Sequence, residues 1–272
     1  YDSDRALDIS CVETYNENRG DNMNRIEKAK QMEKAHFPKV SFLQEDPEMQ
    51  QIMKLHLFAD VYGHGTLDFT MREYITLAVM AANNAEELIT DHVKALLETG
   101  TAPQLILEVI YQIIPYAGLL KAHQALNYVH QALKELTNPE EPEIGSTVTE
   151  ETRFQKGFDA QCSVFSHDAI QGGHDAAAID LKHMQRYLSA HCFGDFYTRK
   201  GLDMRQRELL TFCTIASLGG CENQLRAHAK ANLQAGNTRA TLIEAITQCQ
   251  PYIGFPRTLN AIQIIEEVST TQ

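Results

Sequence analysis

Glu208, Cys221 and His228 are the residues of this 272-residue chain whose types and spacing could move protons. Cys221 and His228 are seven positions apart, so on a helix they share one face about two turns from each other. Cys221 follows Gly219-Gly220 at a predicted helix start. Unpaired backbone N–H groups and the helix dipole favour a thiolate there. Glu208 falls on the preceding predicted helix, which the Gly-Gly turn can fold back antiparallel. Carboxylate, thiol and imidazole then converge. Histidine titrates near neutrality and burial tunes a carboxyl upward, so the trio suits general acid–base work. Arg226, Arg257 and Arg207 are candidate cations for a carboxylate-bearing substrate, because the guanidinium fork pairs bidentately. Arg226 and Arg257 are assigned to substrate binding, together with Tyr252. Each choice has an ordinary structural use as well. A lone cysteine is commonly a small apolar residue, a helical histidine a satisfied polar one, and a single arginine half of a surface ion pair.

The elements that must position these groups occur twice. Phe58-Ala-Asp-Val-Tyr62 matches Phe193-Gly-Asp-Phe-Tyr197, Leu67-Asp68 matches Leu202-Asp203, and Arg72-Glu73 matches Arg207-Glu208, all offset by 135 residues. Further on, His92 matches His228, Gly100 matches Gly236, and Pro115-Tyr116-x-Gly118 matches Pro251-Tyr252-x-Gly254, offset by 136. One residue is inserted near Gly219-Gly220. A constant offset over this length marks a duplication. Glu73 and His92 are the first-module counterparts of the Glu–His pair, while Ala85 stands where the second module has Cys221. Asp60, Tyr62 and Asp68, repeated as Asp195, Tyr197 and Asp203, are read as capping and packing residues.

The duplication divides the chain into a polar arm (1–22), a first module (23–136), a linker (137–150) rich in Pro, Glu, Ser and Thr, and a second module (151–272). Apolar positions at helical spacing predict a helix over 205–218, broken by Gly219-Gly220, a second over 221–234 closed by Gly236, a third over 238–248 with Thr238 as N-cap, a turn over 251–256, and a last helix over 259–268. Strand alternation and hairpin dipeptides are scarce, so the expected class is all-α.

Thirty-six acidic against 24 basic residues give a net charge of -12, which argues against a nucleic-acid partner. No apolar stretch approaches the roughly 18 residues of a membrane span. The chain opens on Tyr1 rather than Met, which leaves an earlier targeting segment open. The six cysteines (Cys11, Cys162, Cys192, Cys213, Cys221, Cys249) are scattered and form no CxxC pair. They read as free thiols of a reducing compartment, hence a cytoplasmic protein. His123 and His130, seven apart, do not make a metal site, and no metal is expected.

The run Phe193-Gly-Asp-Phe-Tyr…Arg207-Glu-Leu-Leu-Thr…Leu-Gly-Gly-Cys221-Glu-Asn-Gln-Leu-Arg226-Ala-His228, with Pro251-Tyr-Ile-Gly-Phe-Pro256 after it, resembles the carboxymuconolactone decarboxylase family, related to the alkylhydroperoxidase (AhpD-like) fold. The resemblance covers about 190–269, and less closely about 55–135. It implies a helical module that works in pairs, so that a tandem chain is a fused pseudo-dimer and a homo-oligomer of three chains makes a ring. It also implies two chemistries. One is cofactor-free decarboxylation of a small carboxylated lactone, with Arg226 binding the carboxylate and His228 giving the proton. The other is a peroxidase that relays protons through a Glu, a CxxC pair and a His. Here Gln224 occupies the second cysteine position, so a disulfide by that route is lost, while a one-cysteine peroxidase using Cys221 survives. A non-catalytic oligomeric binding protein that has kept only the fold is the third expectation.

Overall fold

A computed structural model describes residues 23–37, 42–85, 88–136 and 143–270. Every regular element among them is helical. The predicted arm, 1–22, lies outside the described residues, as does most of the first half of the linker. The first module runs α1 (Arg25–His36), α2 (Pro47–Lys54), a wide π-helical segment (Leu55–Val61), α3 (Phe69–Ala82), α4 (Ile89–Glu98), α5 (Pro103–Ala117) and α6 (Leu119–Leu136). The second runs α7 (Arg153–Val164), α8 (His167–Ala176), α9 (Lys182–Tyr187), a π-helical segment (Leu188–Tyr197), α10 (Met204–Leu218), α11 (Glu222–Gln234) and α12 (Arg239–Ser269).

The repeat reaches further upstream than its obvious matches. α1 and α7 correspond at an offset of 128. Arg25 forks onto Asp60 through Nε (2.8 Å) and Nη2 (2.6 Å), and Arg153 forks in the same way onto Asp195. His56 and His191 flank the same two aspartates. Asp60 and Asp195 therefore pin the leading helices and are not caps, whereas Asp68 and Asp203 do cap α3 and α10. The offset grows to 135 across α8, an extra helix of module two. Gly157 and Gly194 bring α7 onto its π segment backbone to backbone; a Cβ on Gly157 would sit 2.0 Å from the Ser189 carbonyl oxygen.

α3 and α10 are buried on almost every side, and each carries an Arg-Glu pair (Arg72-Glu73, Arg207-Glu208) inside with its apolar residues. They lie at the centre of one continuous core, in which Ile75, Leu77 and Ile110 pack with Leu210, Phe212 and Ile246. Two modules in sequence are thus one body in packing. Polar contacts across the join are reciprocal. Arg207 donates to Gln112 (2.8 Å) and Gln112 to Thr211 (3.2 Å). Arg72 donates to Gln248 (3.3 Å) and Gln248 to Thr76 (3.1 Å). Glu108 holds Arg199 of the other module at 2.8–3.0 Å. Glu244 accepts the Thr66 and Leu67 backbone N–H groups, each at 2.7 Å.

The helix predicted over 205–218 is α10, and α11 begins one residue after Cys221, which is its N-cap. Thr238 caps α12 as expected, within a capping box. The turn predicted over 251–256 is narrower than the sequence suggests. The helix runs through Pro251, and only Gly254 (φ 75°) leaves helical geometry. Gly118 (φ 92°) breaks α5 from α6 at the matching place. Burial of Cys249 and Ile253 on either side holds the chain helical past the proline. Residues 143–149 have no regular secondary structure and are mostly exposed, but Gly145 is buried against Glu108 and Arg199. No helix of the described residues is long and apolar enough to cross a membrane.

Candidate active site

α10 and α11 pack side by side and bring Glu208 to His228. Nδ1 of the imidazole lies 2.8 Å from Glu208 Oε2. In the first module α3 and α4 do the same, with His92 Nδ1 2.6 Å from Glu73 Oε2. Both glutamates are fully buried, and the His228 side chain keeps 10 % exposure. With Nδ1 engaged, Nε2 is the nitrogen left to meet a substrate, and the buried carboxylate fixes the tautomer and steadies an imidazolium. Asn232 braces the second pair by donating to the Glu208 and His228 carbonyls at 2.9 and 2.8 Å. Leu96 occupies its place in module one.

Aromatic rings enclose each imidazole. Phe165, at the C-cap of α7, meets His228 edge-on at 5.5 Å, and Phe37, at the C-cap of α1, meets His92 at 5.4 Å. The pinned leading helices therefore carry the lids of both sites.

Each site also borrows a tyrosine from the other module. Tyr116 of module one stands edge-on to His228 at 5.4 Å and shares a hydrogen bond of 2.8 Å with Tyr197. Tyr197 also bonds Thr211 Oγ1 at 2.9 Å. Burial, with the Glu208 charge behind it, holds the Tyr197 hydroxyl well above its ordinary pKa. Tyr252 of module two is the reciprocal loan. Burial and then the Glu73 charge raise its hydroxyl, so it belongs to the first module's site and not to the second, where the sequence put it. In module one Tyr62 donates to Glu73 Oε1. Tyr62 and Tyr197 are thus part of the sites, beyond the packing role their position suggests.

The thiol beside the second pair is Cys192. It donates to the Tyr116 hydroxyl at 3.5 Å, and burial, reinforced by Glu208, pushes it up to about 12. The repeat does not mark it, because Leu57 fills the matching place. Cys221 makes no hydrogen bond to Glu208 or His228. Seven residues of helix separate thiol and imidazole by about 10 Å along the axis. Cys221 instead lines a cleft of about 280 Å³ with Gly219, Gly220, Arg257 and Asn260.

The predicted cations lie outside the enclosed site. Arg226 pairs with Glu267 at 2.8 Å on the surface. Arg257 donates to Ser217 O and to Asn83 (3.1 Å), closing the C-terminus of α10. Lys121 does the same for α3 through Ala82 O. Arg207 is the buried cross-module donor described above.

A profile of the Carboxymuconolactone decarboxylase family matches residues 47–131 and 182–267. The 4-carboxymuconolactone decarboxylase of Acinetobacter baylyi is 27% identical over 121 residues, 44% of this chain and 90% of that protein. An uncharacterized 15.0 kDa protein of Paracoccus denitrificans is 36% identical over 77 residues, 28% of this chain and 58% of that protein. Two matches that together take up more than half of the chain, on two all-helical modules, make it a tandem member of the carboxymuconolactone decarboxylase family.

Proposed function

We propose that this chain is a cofactor-free carboxy-lyase acting on a small carboxylated lactone or a related acid, with its chemistry at Glu208 and His228. The observation that carries the reading is the buried Glu208–His228 hydrogen bond, which leaves Nε2 as the reachable proton carrier. The bond between the carboxylate carbon and the substrate carbon breaks. Its electron pair enters the enolate, carbon dioxide leaves, and His228 returns a proton to the carbon. Glu208 steadies the imidazolium before that transfer. Phe165 and Tyr116 face the imidazole edge-on, Tyr197 bonds Tyr116 behind it, and among the described residues no cation bonds to these three. A wall poor in charge strips water from the carboxylate, whose charge disperses as carbon dioxide departs. The reaction needs no arginine at the leaving group, and Arg226 is left to its surface pair. The lack of contact between Cys221 and the dyad favours this reading over a peroxidase centred on that thiol.

The test is release of carbon dioxide from carboxylated lactones by the purified chain. His228→Ala should lower kcat by about 10²–10⁴-fold, and Cys221→Ser should leave it unchanged. A wild-type chain that binds such lactones without releasing carbon dioxide would instead be the non-catalytic binding protein. A rate that disappears in Cys221→Ser would restore the thiol.

A further inference from the structure

The two sites share the Glu–His hydrogen bond but differ in what the nearby tyrosine does. In module one Tyr62 donates its phenol to Glu73 Oε1 while His92 takes Oε2, so both carboxylate oxygens are engaged. In module two Tyr197 gives its hydroxyl to the Tyr116–Thr211 chain instead. Glu208 Oε1 is buried and accepts no hydrogen bond from any described residue. The borrowed tyrosines differ in what they engage: Tyr116 shares a hydrogen bond of 2.8 Å with Tyr197, whereas Tyr252 lies beside Tyr62 and Thr76 and leaves the Tyr62 phenol on its glutamate. An unpaired buried acceptor costs free energy, more so when charged, and such groups persist where function uses them.

We propose that Glu208 Oε1 is a ligand subsite for a phenolic or enolic hydroxyl, taking in module two the bond that Tyr62 makes in module one. The chain thereby carries its own picture of the filled site. The Tyr62 ring lies edge-on to Phe37 at 6.0 Å, and Phe165 stands at the Phe37 position in module two. Phe165 beside His228 and the unbonded Glu208 Oε1 offer a planar conjugated ligand an aromatic face and an acceptor. The inference deepens the proposed function and rests on placing the site at this dyad. The enolate left by loss of carbon dioxide becomes an enol once its oxygen takes a proton from water, and a carboxylate that accepts that O–H holds it beside His228 until the carbon is protonated.

The experiment titrates the full-length chain with phenol and with anisole, the methyl ether that lacks the donor. Calorimetry gives stoichiometry and affinity, and histidine ring resonances report which site responds. Phenol should bind once per chain, roughly tenfold more tightly than anisole, and shift His228 while leaving His92 unmoved. Tyr62→Phe frees Glu73 Oε1, so a second equivalent should bind and His92 should then shift. Equal affinities for phenol and anisole, or no phenol response at His228, would overturn the proposal. So would a folded Tyr62→Phe chain that still binds one equivalent. Should Tyr62→Phe fail to fold, the wild-type comparison decides alone. Decarboxylation that depends on His228 in a chain blind to phenol would sink the subsite and spare the lyase; phenol binding without decarboxylation would do the reverse.

Discussion

Replacing Arg207 with methionine tests how the two modules are held together. Arg207 is 0 % exposed. It donates to Gln112 of module one at 2.8 Å and to the Arg199 and Lys200 carbonyls at 2.8 and 3.3 Å, with Glu108 3.6 Å away. Burial pulls its guanidinium below the ordinary value, and Glu108 opposes that pull. Methionine keeps much of the apolar volume but leaves the buried Gln112 oxygen and two part-buried carbonyls without a charged donor. Breaking a buried ionic pair costs about 3–5 kcal/mol when the partner is orphaned. Glu108 is not orphaned, since Arg199 still holds it at 2.8–3.0 Å, so the low end, about 3 kcal/mol, applies. At roughly 2–4 °C per kcal/mol for a chain near this size, Tm should fall by about 6–12 °C. Calorimetry should show one transition, because the core is continuous across the modules. Gln112→Leu should combine with Arg207→Met less than additively, since each removes the same bond. A fall in Tm below about 2 °C, or strict additivity of the pair, would refute this account of the join.

Acid sensitivity should trace to the pins of the leading helices. Burial raises the Asp195 carboxyl, but Arg153 and His191 outweigh it and hold the group below its ordinary 3.8. A depressed carboxyl contributes stability that is present above the unfolded value and lost as pH falls through the folded one. Wild type should therefore lose more stability than Asp195→Asn between pH 7 and about pH 3, read as urea midpoints; parallel curves would contradict the pinning role. The cysteines should divide by burial. Iodoacetamide at pH 8 should label Cys162 and Cys221 in the native chain, and Cys192, Cys213 and Cys249 only after unfolding, since burial pushes Cys192 up to about 12 and raises Cys249 well above its ordinary value. Rapid native labelling of Cys192, mapped by mass spectrometry, would show that its environment is open.

Periodicity and punctuation carried the helices into view, because Gly219-Gly220, Gly236 and Thr238 act on the backbone within a few residues of themselves. The Glu–His pairs were legible for another reason: the duplication repeats them at a fixed offset. What escaped was non-local. Tyr116 and Tyr252 are motif residues in sequence, yet each acts in the module that does not contain it. The correspondence of α1 with α7 hides behind a shift in offset at α8, with Arg25/Arg153 and Phe37/Phe165 as its few markers. Cys221 drew attention as a thiol at a helix start, but its position as N-cap, two turns from His228, turns it toward a different cleft. Arg207 read as a substrate cation because sequence does not show burial.

The exchanged tyrosines have an evolutionary consequence. Were the modules two copies of one short chain, any substitution at a site would appear in both sites at once, and a change harmful in either would be lost. Fusion releases that constraint while the loans of Tyr116 and Tyr252 still tie the halves together. The halves can then differ, with Cys192 in one where the other has Leu57, and Glu208 Oε1 unbonded in one where Tyr62 bonds Glu73 Oε1 in the other. A single gene can in this way let two sites built from the same residue types diverge in their hydrogen bonds.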